Sequence, residues 1–252
     1  MSLLICSRVL IVCQHERNLA FCTLNGDESG VVKLVPPKSK EAVIVRKLQC
    51  IKDVCNPLLP NIRIAVFPWD PSFSIVLMPK GNHCHVNAGN LLSLSVQLVS
   101  GVKFLHDHGV AHLDLKSDNL LLSSTGRLSI IDFSVLELCN RKTILRGFVG
   151  TQGCVCPEIA AEMPFSPFLA DVWACGKLLN DMCNGACADL PLVLFVLRQA
   201  QKLMNADPKR RPSLTDVLAF LDNLNNSPPV FRSLPLQHLN MNVAPISSFY
   251  IR

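Results

Sequence analysis

The spacing of apolar residues passes from mainly strand-like to mainly helical near residue 80, and that change restricts the architecture more than any other feature. Before it, apolar runs are short and bounded by turn residues. Residues 8–13 (RVLIVC), 19–24 (LAFCTL) and 31–35 (VVKLV) read as strands, joined by the hairpin turns QHERN and NGDESG. In residues 39–51 the period becomes helical, with Ala42, Val45, Leu48 and Ile51 on one face and Ser39 as N-cap. Residues 62–68 and 73–79 are two further strands. The order predicts a small antiparallel sheet carrying one helix. Beyond Gly81 the pattern is mainly helical: residues 90–109, closed by Gly109, then 167–183, 190–205 and 213–224, the last with Ser213 as N-cap and Asp216 three places on. Between them lie a loop at 112–119 and a hairpin built from LLLS and LSIIDF around STGR. The expected class is α+β and bilobal. A lobe at about 1–79 and a larger, mainly helical lobe at about 80–224 form one domain, with a hinge near 79–82 and a tail at 225–252. At 252 residues and 49% hydrophobic, the chain can bury one core of that size.

The formal charge of +5 is mild, and no basic run marks a nucleic-acid surface, so nucleic acid is not an expected partner. The 12 cysteines are scattered; Cys6, Cys13, Cys22, Cys50 and Cys175 sit in apolar runs, and no CxxC pair is followed by a second. They are expected as small buried hydrophobes in a reducing compartment rather than as zinc ligands. Cys154 and Cys156 are too close to serve one ion. Residues 1–18 are apolar enough to resemble a signal peptide, but Arg8 interrupts the run and no small-residue cleavage site follows, which favours a strand from near Arg8. No run approaches the ~20 apolar residues of a membrane helix. The expectation is a soluble, intracellular protein of the cytoplasm or nucleus, without a membrane partner.

Residues 112–119 (HLDLKSDN) and 130–135 (IIDFSV) carry the chemistry. Phosphoryl transfer asks a protein for a group that orients the attacking hydroxyl, a metal that neutralises phosphate charge, and a cation on the phosphates. Asp114 is placed to accept the proton of a hydroxyl, and Lys116 to reach the transferred group. Asn119 can hold a magnesium ion by its amide oxygen, and Asp132 by a harder carboxylate oxygen. Each residue alone says little. The ordered set D-x-K-x-x-N, a short hairpin and I-D-F is specific.

That set resembles the eukaryotic-type protein kinase superfamily, from about Arg8 to about Leu224. The family's HRDxKxxN reads HLDLKSDN here, DFG reads DFS, APE reads CPE, DxWxxG reads DVWACG and DPxxRP reads DPKRRP. VAIK reads VVKL. The resemblance implies that Lys33 grips the α- and β-phosphates of ATP and that Glu41, in KEAVIVRKL, holds Lys33. It implies Leu77 as gatekeeper and the main chain of Met78 to Lys80 against the adenine edge. Glu158 is implied to pair with Arg211, Asp171 to bond amides of the catalytic loop, and His112, Phe133 and Val45 to share an internal apolar column. GTQGCVCPE matches the Ser/Thr pattern GTxxYxAPE in length, which makes Thr151 a bridge between Asp114 and Lys116. His106 and His108 are expected as helix-end residues, and His15, His83 and His85 as surface residues.

Three features depart from the family. The turn between the first two strands, VCQHERNLAFC, has no glycine where GxGxxG is usual, so side chains stiffen it over the nucleotide. Leu113 replaces the arginine of HRD, which argues against activation by loop phosphorylation. Ser134 replaces the glycine of DFG and restricts backbone flips without removing Asp132. HLDLK with DFS is similar to the protein kinases of herpesviruses, and HLDLK to the Mos kinases, so a viral origin, with action in a host cell, is one expectation. Two functional readings follow. The retained set implies a Ser/Thr kinase that uses ATP and Mg2+ on protein substrates. The glycine-free turn, and the short interval before DPKRRP that leaves little room for a substrate-docking helix, fit a pseudokinase that scaffolds a regulatory partner.

Overall fold

The computed structural model describes residues 4–6, 9–15, 19–24, 28–57, 62–66, 70–79, 82–186 and 191–226, with side chains described within 30–57, 62–66, 70–78, 84–186 and 191–224. The N-terminal strands are β1 (Leu4–Cys6), β2 (Val9–His15), β3 (Leu19–Leu24), β4 (Glu28–Val35), β5 (Arg63–Val66) and β6 (Ser74–Pro79). They form one antiparallel sheet of order β1-β2-β3-β4-β6-β5. Two details differ from expectation. An extra edge strand, β1, pairs with β2. Strand β4 begins at Glu28, within the stretch read as a turn, because Gly30 pairs with both Cys22 and Pro79.

Helix α1 (Lys40–Gln49) follows β4. Ser39 caps it, its hydroxyl accepting from the Ala42 amide at 3.2 Å, which satisfies one of the amides a helix start leaves free. Ala42, Ile44, Val45 and Leu48 are fully buried. The large ones each contribute about 1.5–3 kcal/mol by leaving water. This apolar face fixes the helix against the sheet and points its first turn, with Glu41, toward β4.

The second lobe is built on α2 (Leu91–Asp107), α4 (Pro167–Gly185), α5 (Pro191–Leu203) and α6 (Leu214–Asn226), with a one-turn α3 (Pro157–Ala160). Helix α2 packs on α4 and α6, and α4 lies against α5. Gly176 permits that last approach: a Cβ there would fall 2.6 Å from the Leu203 Cβ and 2.9 Å from the Ala200 carbonyl oxygen. Only residues 186–190 separate α4 from α5. Short strands place the loops. β9 (Leu120–Leu122) pairs with β10 (Leu128–Ile130) and with β7 (Asn82–His83), and β8 (Val110–Ala111) pairs with β11 (Glu137–Leu138). One apolar cluster runs through both lobes, from Ile44, Val45 and Leu48 through Leu98, Leu105 and Phe133 to Leu179 and Leu221. The mixed α+β, two-lobed architecture is as the change of period implies.

The cysteines depart from expectation in part. Cys156, Cys175 and Cys183 are buried, but Cys50 is exposed, because it caps α1 on the side away from the sheet's apolar face. The side chains of Cys6, Cys13 and Cys22 lie outside the described residues, as do residues 16–18 of the glycine-free turn. Among the described residues, no helix is long and apolar enough to cross a membrane.

Candidate active site

Strand β4 and helix α1 bring Lys33 and Glu41 together across the sheet's face. Lys33 Nζ donates to Glu41 Oε1 at 2.9 Å and to Asp132 Oδ1 at 3.3 Å. Glu41 is buried, and a carboxylate inside the protein requires such a partner. The cation thus spans the lobes, with one contact on α1 and one just after β10. Burial pushes the Asp132 carboxyl up, but the charge of Lys33 and hydrogen bonds from Ser134 and Lys33 outweigh it and hold it below its ordinary value. Ser134, which stands where glycine is usual in the resembling family, therefore reinforces Asp132 as an anion.

The second group gathers on the loop before β9. Thr151 Oγ1 donates to Asp114 Oδ1 at 2.7 Å and accepts from Lys116 Nζ at 2.6 Å. Lys116 Nζ also reaches Asp114 Oδ2 at 2.9 Å. Asn119 Nδ2 donates to the Asp114 carbonyl at 2.8 Å and to Asp114 Oδ2 at 3.2 Å. Its amide nitrogen is thereby committed, and its oxygen is the atom that a cation would take. Burial raises the Asp114 carboxyl, but hydrogen bonds from Lys116, Thr151 and Asn119 hold it below its ordinary value. Burial likewise lowers the Lys116 ammonium, and the Asp114 partner more than reverses this. The pair is ionic at neutral pH.

A buried carboxylate on α4 holds the loop in place. Asp171, fully buried, accepts from the amides of His112 at 2.7 Å and Leu113 at 2.8 Å. It also meets His106 Nε2 at 3.0 Å. His106 is thus more than a helix-end residue; its spacing six before His112 is the signal that could have marked it. His112 accepts from the Asp114 amide at Nδ1, at 3.3 Å, which leaves its Nε2 to donate to the Ile131 carbonyl at 3.1 Å. Desolvation lowers its pKa despite nearby carboxylates, so the ring is neutral. It meets Phe133 edge-on at 5.5 Å, and Val45 belongs to the same buried cluster as Phe133.

Leu113 and Asp132 adopt left-handed backbone, with φ of 65° and 61°, at a cost of about 1–2 kcal/mol each for an L-residue. For Leu113 the Asp171 bonds offset that cost. Its side chain is buried in a second apolar cluster with Ala111, Cys156, Ile159, Phe165 and Ala170, against which Val149 and Val155 pack. The segment from Asp132 to Glu158 therefore rests on an apolar contact here. Gly150 closes it: at φ +92° its backbone lies so near that a Cβ would be 2.5 Å from the Leu113 carbonyl oxygen. At the far end Arg211 grips Glu158 in a two-pronged pair, both contacts 2.7 Å.

Leu77 pairs in register with Val32 on β4 and Arg63 on β5, and Met78 with Val31. This places both on the strand that leads out of the first lobe, beside β4. Lys80 lies outside the described residues. Among the described residues, no cluster of His, Cys, Asp or Glu of metal-binding geometry is present beyond this mixed amide–carboxylate set.

Residues 74–188 match the protein kinase domain family. Among curated proteins, the chain is 37% identical over 141 residues to sperm motility kinase W of Mus musculus, a match covering 48% of this chain and 28% of that protein. It is 29% identical over 167 residues to CBL-interacting serine/threonine-protein kinase 8 of Arabidopsis thaliana, covering 58% and 37%. It is 34% identical over 154 residues to serine/threonine-protein kinase STE20 of Saccharomyces cerevisiae, covering 58% and 16%. The chain thus spans well under half the length of these relatives. The matched region begins at β6 and contains the loop with Asp114, Lys116 and Asn119, the Asp132 segment and all of α4, and over that region sequence and architecture agree with a protein kinase domain.

Proposed function

We propose that the protein is an active Ser/Thr protein kinase, moving the γ-phosphoryl group of ATP to a protein hydroxyl. The observation that carries this reading is the joint assembly of two ionic groups. Lys33 is held between Glu41 and Asp132, and Asp114 between Lys116, Thr151 and Asn119. Charged side chains gathered in a cleft are costly unless they serve chemistry. The donor set, one carboxylate and one amide oxygen, suits a hard divalent cation. Asp132 and Asn119 would hold Mg2+, which when bound supplies neutralisation of phosphate charge. Lys33 binds the α- and β-phosphates, and Leu77 and the Met78 main chain flank the adenine.

Asp114 orients the acceptor hydroxyl. Its depressed pKa makes it a weak base, so it takes the proton late, as the new P–O bond forms and the bond to the ADP oxygen breaks. Lys116 meets the charge on the transferred group. The Thr151 bridge and the lysine at position 116 support serine or threonine as acceptor, in line with the names of the plant and yeast relatives. Protein substrates and an intracellular setting, where ATP is supplied, belong to this reading. The glycine-free residues 14–18 favour the second reading, a pseudokinase that binds a partner. Transfer from labelled ATP with Mg2+ to generic acidic and basic proteins separates the two. Incorporation by the wild type that is lost in Asp114→Asn is expected; wild-type signal no greater than that of the variant would refute the kinase reading. Stabilisation by nucleotide without transfer would support the second.

A further inference from the structure

Helix α1 is tied to the second lobe at its far end by a side chain that the proposed chemistry does not use. Arg127, in the β9–β10 hairpin, extends its guanidinium beneath the loop after α1. Its Nη2 donates to the carbonyl oxygens of Asn56 at 2.9 Å and Val54 at 3.3 Å. Asn56 is fully buried. Its Nδ2 donates in turn to the carbonyls of Leu48 and Ile51, both at 2.9 Å, so the loop and the last turn of α1 are one unit. A cation beyond a helix C-terminus is also favoured by the helix dipole. Arg127 Nε is buried without a partner. That is a net cost, borne at the place where the fork meets the loop.

The hairpin end is itself held fast. Ser123 Oγ accepts from the Arg127 amide at 3.0 Å, and the Gln97 side chain of α2 bonds the Leu128 amide at 2.8 Å and the Gly126 carbonyl at 3.1 Å. Gly101 of α2 lies close under Pro57 and Ile130: a Cβ there would fall 3.2 Å from the Pro57 Cβ and 3.3 Å from the Ile130 Cδ1. The other end of the same hairpin carries the site: Asn119 immediately precedes β9, and Asp132 stands two residues beyond β10. Glu41 and Leu48 are seven residues apart on α1, about 10 Å along a rigid helix.

We infer that Arg127 is a positioning residue that registers α1 against this hairpin, and so sets the Lys33–Glu41 pair relative to Asn119 and Asp132. One short rigid piece then serves as the common reference for both halves of the site. The inference rests on the kinase reading for its catalytic consequence but not for its mechanical one. The test compares the full chain with Arg127→Met, which keeps the aliphatic stem, and Arg127→Lys, which keeps the charge and a donor.

In Arg127→Met, amide exchange across residues 41–57 is expected to rise about tenfold, as for the loss of one or two such bonds, with α2, α4 and α6 unchanged. The kcat/KM for ATP is expected to fall about tenfold with KM for the protein substrate unchanged. Arg127→Lys recovers part of both, and carries the comparison if the methionine variant does not fold. Unchanged exchange at 41–57, an increase spread evenly over the chain, or looser exchange with unaltered ATP kinetics overturns the proposal. Absence of transfer in the wild type would refute the kinase reading, while exchange would still decide the clamp.

Discussion

Replacing Arg211 by methionine tests the packing logic of the second lobe most directly. The guanidinium is completely buried and Glu158 nearly so. Two contacts of 2.7 Å join them, and two further donors reach the Asn205 and Leu169 carbonyls at 2.9 Å each. Methionine fills much of the volume but leaves a carboxylate without its cation, a change that costs about 3–5 kcal/mol. A mutation of both partners, Arg211→Met with Glu158→Leu, removes the stranded charge and recovers a large part of that loss. Urea unfolding followed by circular dichroism at pH 7 measures both. The pH dependence supplies an independent sign. In the wild type, burial raises the Glu158 carboxyl but Arg211 outweighs it and holds it below its ordinary 4.5. Its contribution is therefore complete above that value and lost as pH falls through the depressed one. In Arg211→Met burial is opposed only by hydrogen bonds from the Glu158 amide and Cys156, so the carboxyl is protonated at higher pH than in the wild type, and the deficit of the variant shrinks as pH falls through the acid range. A loss under about 1 kcal/mol at pH 7, or a deficit that grows in acid, would refute this reasoning.

Two further outcomes follow from the same packing and charge pattern. Lys33→Met and Asp132→Ala are each expected to abolish phosphate transfer while the far-ultraviolet spectrum stays native; Lys33→Met also lowers the urea midpoint, because buried Glu41 loses its cation. Near-normal transfer by either would refute the residue assignment. Gly176→Ala is expected to destabilise the chain by about 1–3 kcal/mol, the usual cost of overpacking, because its methyl would fall 2.6 Å from Leu203. A change within 0.5 kcal/mol, the range of an ordinary surface substitution, would mean that α5 can slide.

The sheet, α1 and the long helices are legible in the sequence because each is a local pattern: a period, a cap, a turn. The loop residues Asp114, Lys116 and Asn119 are legible for the same reason, since their spacing alone brings them together. Leu113 is different. In sequence it reads only as a missing arginine, whereas in the fold it is the apolar seat of the segment that carries Thr151. That role depends on Cys156, Ile159 and Phe165, which no local pattern links to it. Arg127 is less visible still, because its partners are backbone carbonyls more than seventy positions earlier and have no identity in sequence. The exposure of Cys50 is not legible in sequence, because a helical apolar stripe does not say which side of its last turn faces water.

The bonds that Asp171 makes carry a consequence for the order in which the molecule can be born. The amides of His112 and Leu113 find their acceptor in a side chain synthesised 59 and 58 positions later. At ~5–20 residues per second on the ribosome, the catalytic loop spends several seconds as a nascent segment with no template for its left-handed turn. The loop that carries Asp114, Lys116 and Asn119 therefore takes its final shape only after α4 has emerged and docked.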